Sequence, residues 1–333
     1  MAAAGGAAGE DARRSVRVVR FGDPSGVVLA RERVRAPRGN DVVVAVTHAS
    51  LGATDVLARR GGYVFQPVPG FVTGYDFVGV LESESAVSVA LGLRAGMRVA
   101  GVLPRMGSHT TLLVVSPTLL VAVPDGLDPA SAAVAPLDAV TAALALQLAG
   151  PAPRILIQGV SGPVGSIAAQ LAERAGRTVV GTASSPVDGV ATIDYRDPDW
   201  PARAVEAAGG PFGAAIDHTG SPRVAETLSP DGTLVHTAFA GRRGHERGDS
   251  LRGSARAAVA RHPRERVCSV PFFVLRHRPA YRRMLSGLLA DVAEGRLRSA
   301  RPQTFALDEV WDAHRAAEGA EPGRKVVLEL RAG

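Results

Sequence analysis

Hydrophobic and polar positions fall into two rhythms along the chain. From Val16 to about residue 122, short runs of β-branched residues alternate with Gly and Pro punctuation. Val16 to Arg20, Asp41 to Thr47, Phe77 to Glu82, Arg98 to Val102 and Thr111 to Val115 read as strands, and this spacing predicts a small barrel. Turns at Pro37-Arg38-Gly39-Asn40 and Leu93-Arg94-Ala95-Gly96 lead into two of them. At Asp128 the pattern changes. Asp128-Pro129, a cap followed by proline in the first turn, opens an Ala-rich helix, and a second helix covers Ala139 to Ala149. Strands and helices then alternate: strand Arg154 to Gln158, helix Val164 to Ala175, and strands Thr178 to Thr182, Ala214 to Asp217 and Thr233 to Thr237. This is the period of a parallel sheet with crossover helices. Beyond an Arg-rich stretch, Arg242 to Arg266, the spacing predicts an amphipathic helix Pro279 to Glu294, a strand Thr304 to Leu307, a helix Leu307 to Ala317 and a closing strand Lys325 to Leu330.

Bulk properties narrow what such a chain can do. Its 333 residues exceed what one hydrophobic core usually supports, so two domains are expected. No apolar run approaches the ~20 residues of a membrane span, and no membrane partner is expected. Met1 to Arg14 is Ala- and Gly-rich without the apolar core of a secretory signal and reads as a disordered leader. The single cysteine, Cys268, excludes an internal disulfide and a cysteine-built zinc site. The eight histidines are scattered, so no metal site is expected, and a reducing, cytoplasmic location follows by default. A net charge of +6 raises the question of nucleic acid. Lys325 is the one lysine, however, and the Arg-rich stretch lacks interleaved aromatics. It reads as a solvated or phosphate-facing loop, with no nucleic-acid partner.

The candidate chemistry centres on Gly159, Val160, Ser161, Gly162, Pro163, Val164 and Gly165, a glycine turn between a predicted strand and a predicted helix. Glycine removes the Cβ that would block a phosphate, while backbone amides and the helix dipole attract the anion, so a dinucleotide pyrophosphate is expected here. Pro163 is tolerable only where no amide hydrogen is needed. At the end of the next strand, Thr182, Ser184 and Ser185 offer hydroxyls and no carboxylate to hold a ribose diol, which favours NADP(H).

Further segments extend the picture: Gly74-Tyr75-Asp76-Phe77-Val78-Gly79-Val80, Gln170-Leu171-Ala172 after the turn, Ile193-Asp194-Tyr195-Arg196, Asp217 to Gly220, and Lys325-Val326-Val327-Leu328. With the glycine turn, they resemble the zinc-independent quinone oxidoreductase branch of the medium-chain dehydrogenase/reductase superfamily, with features of its synaptic vesicle membrane protein homologue subgroup. The resemblance implies an α/β chain. Residues 15–125 with 268–333 would form a GroES-like β-barrel catalytic domain, and 126–267 a Rossmann doubly wound parallel sheet, with the active site in the cleft between them. It places Tyr195 near the adenosine phosphate and Thr141 near the nicotinamide. It sets Asp217, Thr219 and Gly220, and the segment Thr237 to Ala240 with Ala238 and Phe239, along the ribose and nicotinamide. A homodimer is implied in the same way.

Departures from the family pattern also carry information. The chain is several residues short between Ser184 and Asp194, truncating a helix that often supplies a cation to the 2′-phosphate. Gly52 and Ala53 replace an asparagine and an aromatic, which enlarges the substrate pocket, and Gly107-Ser108-His109 stands where an aromatic is usual. Metal-free hydride transfer from NADPH to a small molecule, a conjugated enone, quinone or polyketide-like intermediate, is the expected reaction. Tyr63, matching a family tyrosine at the cleft edge, and His109 are the candidate proton donors. Asp55 and Asp76 are expected to hold backbone or arginine partners, and His218 a local hydrogen bond. The alternative is the same fold in a non-redox role, a rearrangement, cyclisation or binding module with a weakened cofactor site.

Overall fold

The β-branched runs do become strands, but they begin earlier than the alternation suggests. In the computed structural model, which describes residues 12–239, 244–319 and 321–331, the chain opens with β1 (Ala12–Val18), paired antiparallel with β2 (Val27–Arg33). Ala12, Arg13 and Arg14, expected in a leader, are therefore strand residues opposite Arg33, Glu32 and Arg31, and Arg13 and Arg17 both pair with Glu32. There follow β3 (Val42–Leu51), α1 (Ala53–Arg59), β4 (Phe71–Val72), β5 (Asp76–Leu81), α2 (Ala86–Ala90), β6 (Arg98–Val102), β7 (Leu112–Val115) and β8 (Leu120–Ala122). The side chains that these strands turn inward, among them Val44, Val46, Phe77, Leu81, Val99 and Val102, are fully buried.

Two helices, α3 (Pro129–Ala133) and α4 (Pro136–Ala149), lead into the second unit, and Asp128 caps α3 by accepting from the Ser131 amide at 2.9 Å. Next come β9 (Arg154–Gln158), α5 (Pro163–Arg174), β10 (Thr178–Ala183), β11 (Ala191–Asp194), α6 (Trp200–Ala207), β12 (Phe212–Asp217), β13 (Leu228–His236), α7 (Glu246–Val259) and β14 (Arg264–Val267). These six strands form one parallel sheet in the order β11-β10-β9-β12-β13-β14. The order reverses between β10 and β12, on either side of β9, and a crevice at the strands' carboxyl ends above such a reversal is where doubly wound sheets take ligands. Central β9 is buried on both faces. Ile155 and Ile157 join the core under α4 and α5, and Leu156 packs with Val180, Trp200 and Phe212 opposite.

The chain then crosses back. Helices α8 (Val270–Arg276) and α9 (Arg278–Ala293) pack on α4, and Tyr281 of α9 anchors the crossing, its hydroxyl accepting from the Val102 amide at 2.6 Å and donating to the Leu119 carbonyl at 3.1 Å. Strand β15 (Arg301–Ala306), α10 (Val310–Glu318) and β16 (Arg324–Glu329) complete the first unit. Its main sheet runs β15-β16-β3-β5-β6-β8, with β7 on β3. The Arg-rich stretch, expected as a loop, is largely α7 and β14. Arg242 and Arg243 lie outside the described residues, as does Ala240.

Candidate functional site

The glycine turn occupies the corner between β9 and α5, at the point of reversal. Gly159 has φ +68°, and a Cβ there would lie 2.6 Å from Cε1 of His218, at the end of β12. A Cβ on Gly165 would run into the Gly159 carbonyl, so helix and turn approach within a distance only glycine permits. The Gly162 amide donates to Gly159 O at 2.9 Å and the Ser166 amide to Gly162 O at 2.8 Å, closing the corner. Pro163 is the first helical residue, where a missing amide costs nothing; the amides of Val164 and Gly165 follow in the first turn, which has no carbonyl of its own helix to receive them. The residues present thus fit a dinucleotide pyrophosphate.

Thr182 has a different task from the one expected. It is fully buried, its hydroxyl bonded to the Gln158 side chain and accepting from the Gly159 amide at 3.2 Å, so it holds the turn from beneath. Ser184 and Ser185 are exposed just beyond β10. Tyr195 is 52% exposed at the end of β11. Beside it Arg196 bonds Asp194 at 2.7 Å and the Ser184 carbonyl at 2.8 Å, and this charge-assisted bonding holds the Asp194 carboxyl down at about 2.

Across the crevice, Asp217 is buried and accepts from the Thr219 amide and hydroxyl at 2.8 and 2.7 Å and from the Gly220 amide at 2.7 Å. Burial pushes its carboxyl up, but these bonds and one from His236 outweigh that and keep it below the usual range. His236 lies between two carboxylates, Nδ1 3.2 Å from Asp217 and Nε2 2.8 Å from Glu265, and its ring stacks on Phe239. Sequence reasoning missed this line of groups; a histidine ending the apolar run Leu234-Val235 was the available signal. Phe239 is consequently turned inward, against His236 and Gly253, whereas Ala238 is exposed. Thr141 donates to Leu137 O of its own helix at 2.7 Å, and its carbonyl faces Cys268, whose thiol burial pushes up to about 12.

The barrel side of the cleft carries an aromatic line. Tyr63 meets Tyr75 and Phe65 edge-on, and Phe65 meets Phe272 at 5.8 Å, so the line reaches α8, which packs on α4. The Tyr63 and Tyr75 hydroxyls are 2.8 Å apart, and burial raises the Tyr63 phenol to about 12. Arg247 of α7 donates to the carbonyls of Gly61, Gln66 and Pro67, fastening the loop that presents Tyr63 to the sheet unit.

His109 does not face the cleft. It is fully buried; Nδ1 lies 2.7 Å from the Thr73 hydroxyl and Nε2 2.9 Å from the Ser50 carbonyl, which fixes Nε2 as donor and leaves no nitrogen for a substrate. Asp55 accepts from the amides of Gly52 and Gly74, and Asp76 from the Ser50 hydroxyl and the Leu137 amide, in keeping with their expected roles. Burial raises Asp76 to about 6. Lys325 is buried against Asp138; burial depresses its ammonium, but Asp138 and Asp76 outweigh this and hold it above the usual value. His218 is exposed over Gly159 and has no hydrogen-bond partner among the described residues.

Residues 188–328 match a family model described as zinc-binding dehydrogenase. A comparison with the sequences of curated proteins finds no match. Among solved structures, the JamJ enoyl reductase in its apo form is similar at a TM-score of 0.82 with 18% identity, over 96% of this chain and 99% of that one. The quinone oxidoreductase from Coxiella burnetii gives 0.76 and 24%, over 96% and 100%. The human synaptic vesicle membrane protein VAT-1 homolog-like protein gives 0.77 and 19%, over 97% and 100%. The fold is that of the medium-chain dehydrogenases/reductases. The barrel and the sheet expected from the resemblance are both present, and the tail does return to the barrel. The family description implies zinc, yet among the described residues no group of three or more His, Cys, Asp or Glu side chains is placed to hold a metal ion. Asp55 and Asp76 are taken up by the chain's own donors, and the nearby buried cation is the Lys325 ammonium; the residues present do not fit zinc. No helix among the described residues is long and apolar enough to cross a membrane.

Proposed function

We propose that the chain is an NADPH-dependent reductase of a conjugated enone, quinone or polyketide-like acceptor. The observation that carries this reading is the glycine turn at the reversal of the parallel sheet, closed to any side chain at Gly159 and Gly165 and facing a barrel wall across the cleft. NADP is favoured over NAD because Ser184 and Ser185 follow β10, and Asp194, opposite Ala183 in β11, is bound by Arg196.

When bound, the cofactor supplies the hydride. The turn holds the pyrophosphate through first-turn amides, and Thr182 and Gln158 keep the turn in place. Asp217 fixes the Thr219-Gly220 corner along the crevice. Tyr63, with its proton held on Oη throughout the physiological range, donates a hydrogen bond to the acceptor's oxygen while Tyr75 orients that hydroxyl. Arg247 keeps the tyrosine loop against the sheet unit.

Titrating the purified chain into NADPH while following nicotinamide fluorescence tests the reading. Saturable binding, followed by loss of reduced-nicotinamide absorbance with members of an enone and quinone panel, is expected. Absence of binding to both NADPH and NADH would overturn it.

A further inference from the structure

The connection from β10 to β11 runs only from Ser184 to Val190 and contains no helix, although α5, α6 and α7 fill the connections before β10, β12 and β14. Where a crossover helix would pack beside α5, there is a cavity of about 190 Å³. Its walls are the glycine turn with Ser161, the flank of α5 with Ser166 and Gln170, the short connection, and residues 298–301 of the segment returning to the barrel. Gln170 grips that segment: its amide nitrogen donates to Arg298 O at 2.9 Å, and its amide oxygen accepts from Arg298 N at 2.8 Å. The backbone of Arg301 is tied to Gly323 O at 2.8 Å. Both arginines are thus fixed at their main chains, while neither guanidinium has an ion pair or hydrogen bond among the described residues.

We propose that this cavity seats the adenosine 2′-phosphate of NADP(H), and that the barrel unit, through Arg298 and Arg301, recognises it. The inference rests on the crevice being a dinucleotide site. With the pyrophosphate on the turn, the adenosine arm runs toward the end of β10, and the cavity is walled by the turn on one side and by residues 187–190, in the connection that follows β10, on another. The one further anion an NADP molecule carries there is the 2′-phosphate, whose oxygens match guanidinium forks and serine hydroxyls. The missing helix explains why the cation comes from the other unit. Glu173 and Asp188 stand in the same walls, and their negative charge opposes that of the phosphate.

Calorimetric titration of the full chain with NADPH, NADH, 2′,5′-ADP, 3′,5′-ADP and 5′-AMP tests this. The wild type is expected to bind 2′,5′-ADP more tightly than 5′-AMP or 3′,5′-ADP. Arg298→Ala with Arg301→Ala is expected to weaken NADPH and 2′,5′-ADP by about 10- to 100-fold, as for loss of charge-assisted bonds, with NADH unchanged. Glu173→Gln with Asp188→Asn is expected to tighten the same two ligands. The proposal is overturned if the double arginine variant keeps the preference for 2′,5′-ADP, if 3′,5′-ADP competes equally, or if Arg196→Ala abolishes the preference instead, each with NADH binding intact. Failure of the wild type to bind either dinucleotide would sink the cofactor reading itself, a result distinct from these.

Discussion

The two walls of the cleft treat polar groups in opposite ways. On the barrel wall His109, Asp55, Asp76 and Lys325 are buried, and each has its hydrogen-bonding atoms met by the chain itself. On the sheet wall the turn is built from glycine, proline and small residues, and His218, Ser184 and Ser185 stand exposed. A charged or imidazole group in a folded chain is therefore a poor guide to chemistry until its partners are known. The barrel wall spends such groups on holding strands together; under the proposed function it leaves Tyr63 for the acceptor, while the sheet wall keeps its first-turn amides for an anion.

The strongest test of that division removes the buried charge. Lys325→Met would leave Asp138 unpaired in a dry site and is expected to cost about 3–5 kcal/mol of unfolding free energy by urea titration. Adding Asp138→Leu should restore much of it, because a buried pair replaced by apolar groups is often neutral. A single variant as stable as wild type would show that the ammonium is not structural and would break the comparison.

His314 probes the same wall through pH. It is the exception there, fully buried in α10 with neither ring nitrogen partnered among the described residues, and burial, with His109 and Arg59 acting in the same sense, lowers it to about 3 from an ordinary 6.5. The unfolded chain takes up this proton first. Its neutral form therefore supports the fold fully above pH 6.5, and that support is lost as pH falls from 6.5 toward 3, by about 1.4 kcal/mol per unit. Asp76, raised to about 6, acts in the opposite sense, losing stability as pH rises through its own window, but it is common to both proteins compared. His314→Phe is expected to flatten the decline of the urea midpoint below pH 6.5; an unchanged slope would place the acid sensitivity elsewhere.

On the sheet wall the corresponding lesion is steric. Gly165→Val drives a side chain into the Gly159 carbonyl, and the overpacking is expected to cost about 1–3 kcal/mol while NADPH affinity falls roughly 100-fold as the turn moves. Melting by circular dichroism and fluorescence titration report the two effects separately. Retained affinity would mean that the turn does not bind the pyrophosphate.

This contrast also marks what was legible in the sequence. Strand β9 has the bounds its apolar run predicts, and α5 starts one residue earlier than expected, at Pro163, because glycine and proline punctuate locally. Helix α7 was not legible: it buries only Gly253 and Ala257, with Gly253 against Phe239, so it is docked by contacts outside its own pattern. Strand β1 hides in the same way, since Ala12 to Arg14 gain their order from β2. His109 looked like a proton donor because Thr73 and Ser50, which occupy its nitrogens, lie 36 and 59 residues away. Local chemistry announced the phosphate turn; long-range pairing concealed which titratable groups were already spent.

If the barrel wall leaves only Tyr63 for the acceptor, its hydroxyl should matter modestly and specifically. Tyr63→Phe keeps the edge-on packing with Phe65 and Tyr75 and removes one donor, so kcat is expected to fall about 10-fold with NADPH affinity unchanged, the loss of one hydrogen bond made to developing charge. The variant also strips Tyr75 of its partner, so Tyr75→Phe serves as the control: it breaks the same 2.8 Å contact but leaves the Tyr63 hydroxyl in the cleft, and should reduce kcat less. Because burial raises the phenol to about 12, the wild type should show no alkaline limb from this group between pH 6 and 9, and the difference between the two proteins should be flat across that range. Equal rates for wild type and Tyr63→Phe would show that the barrel wall offers shape alone, and would extend to the Tyr63 hydroxyl the rule that its polar groups serve the fold.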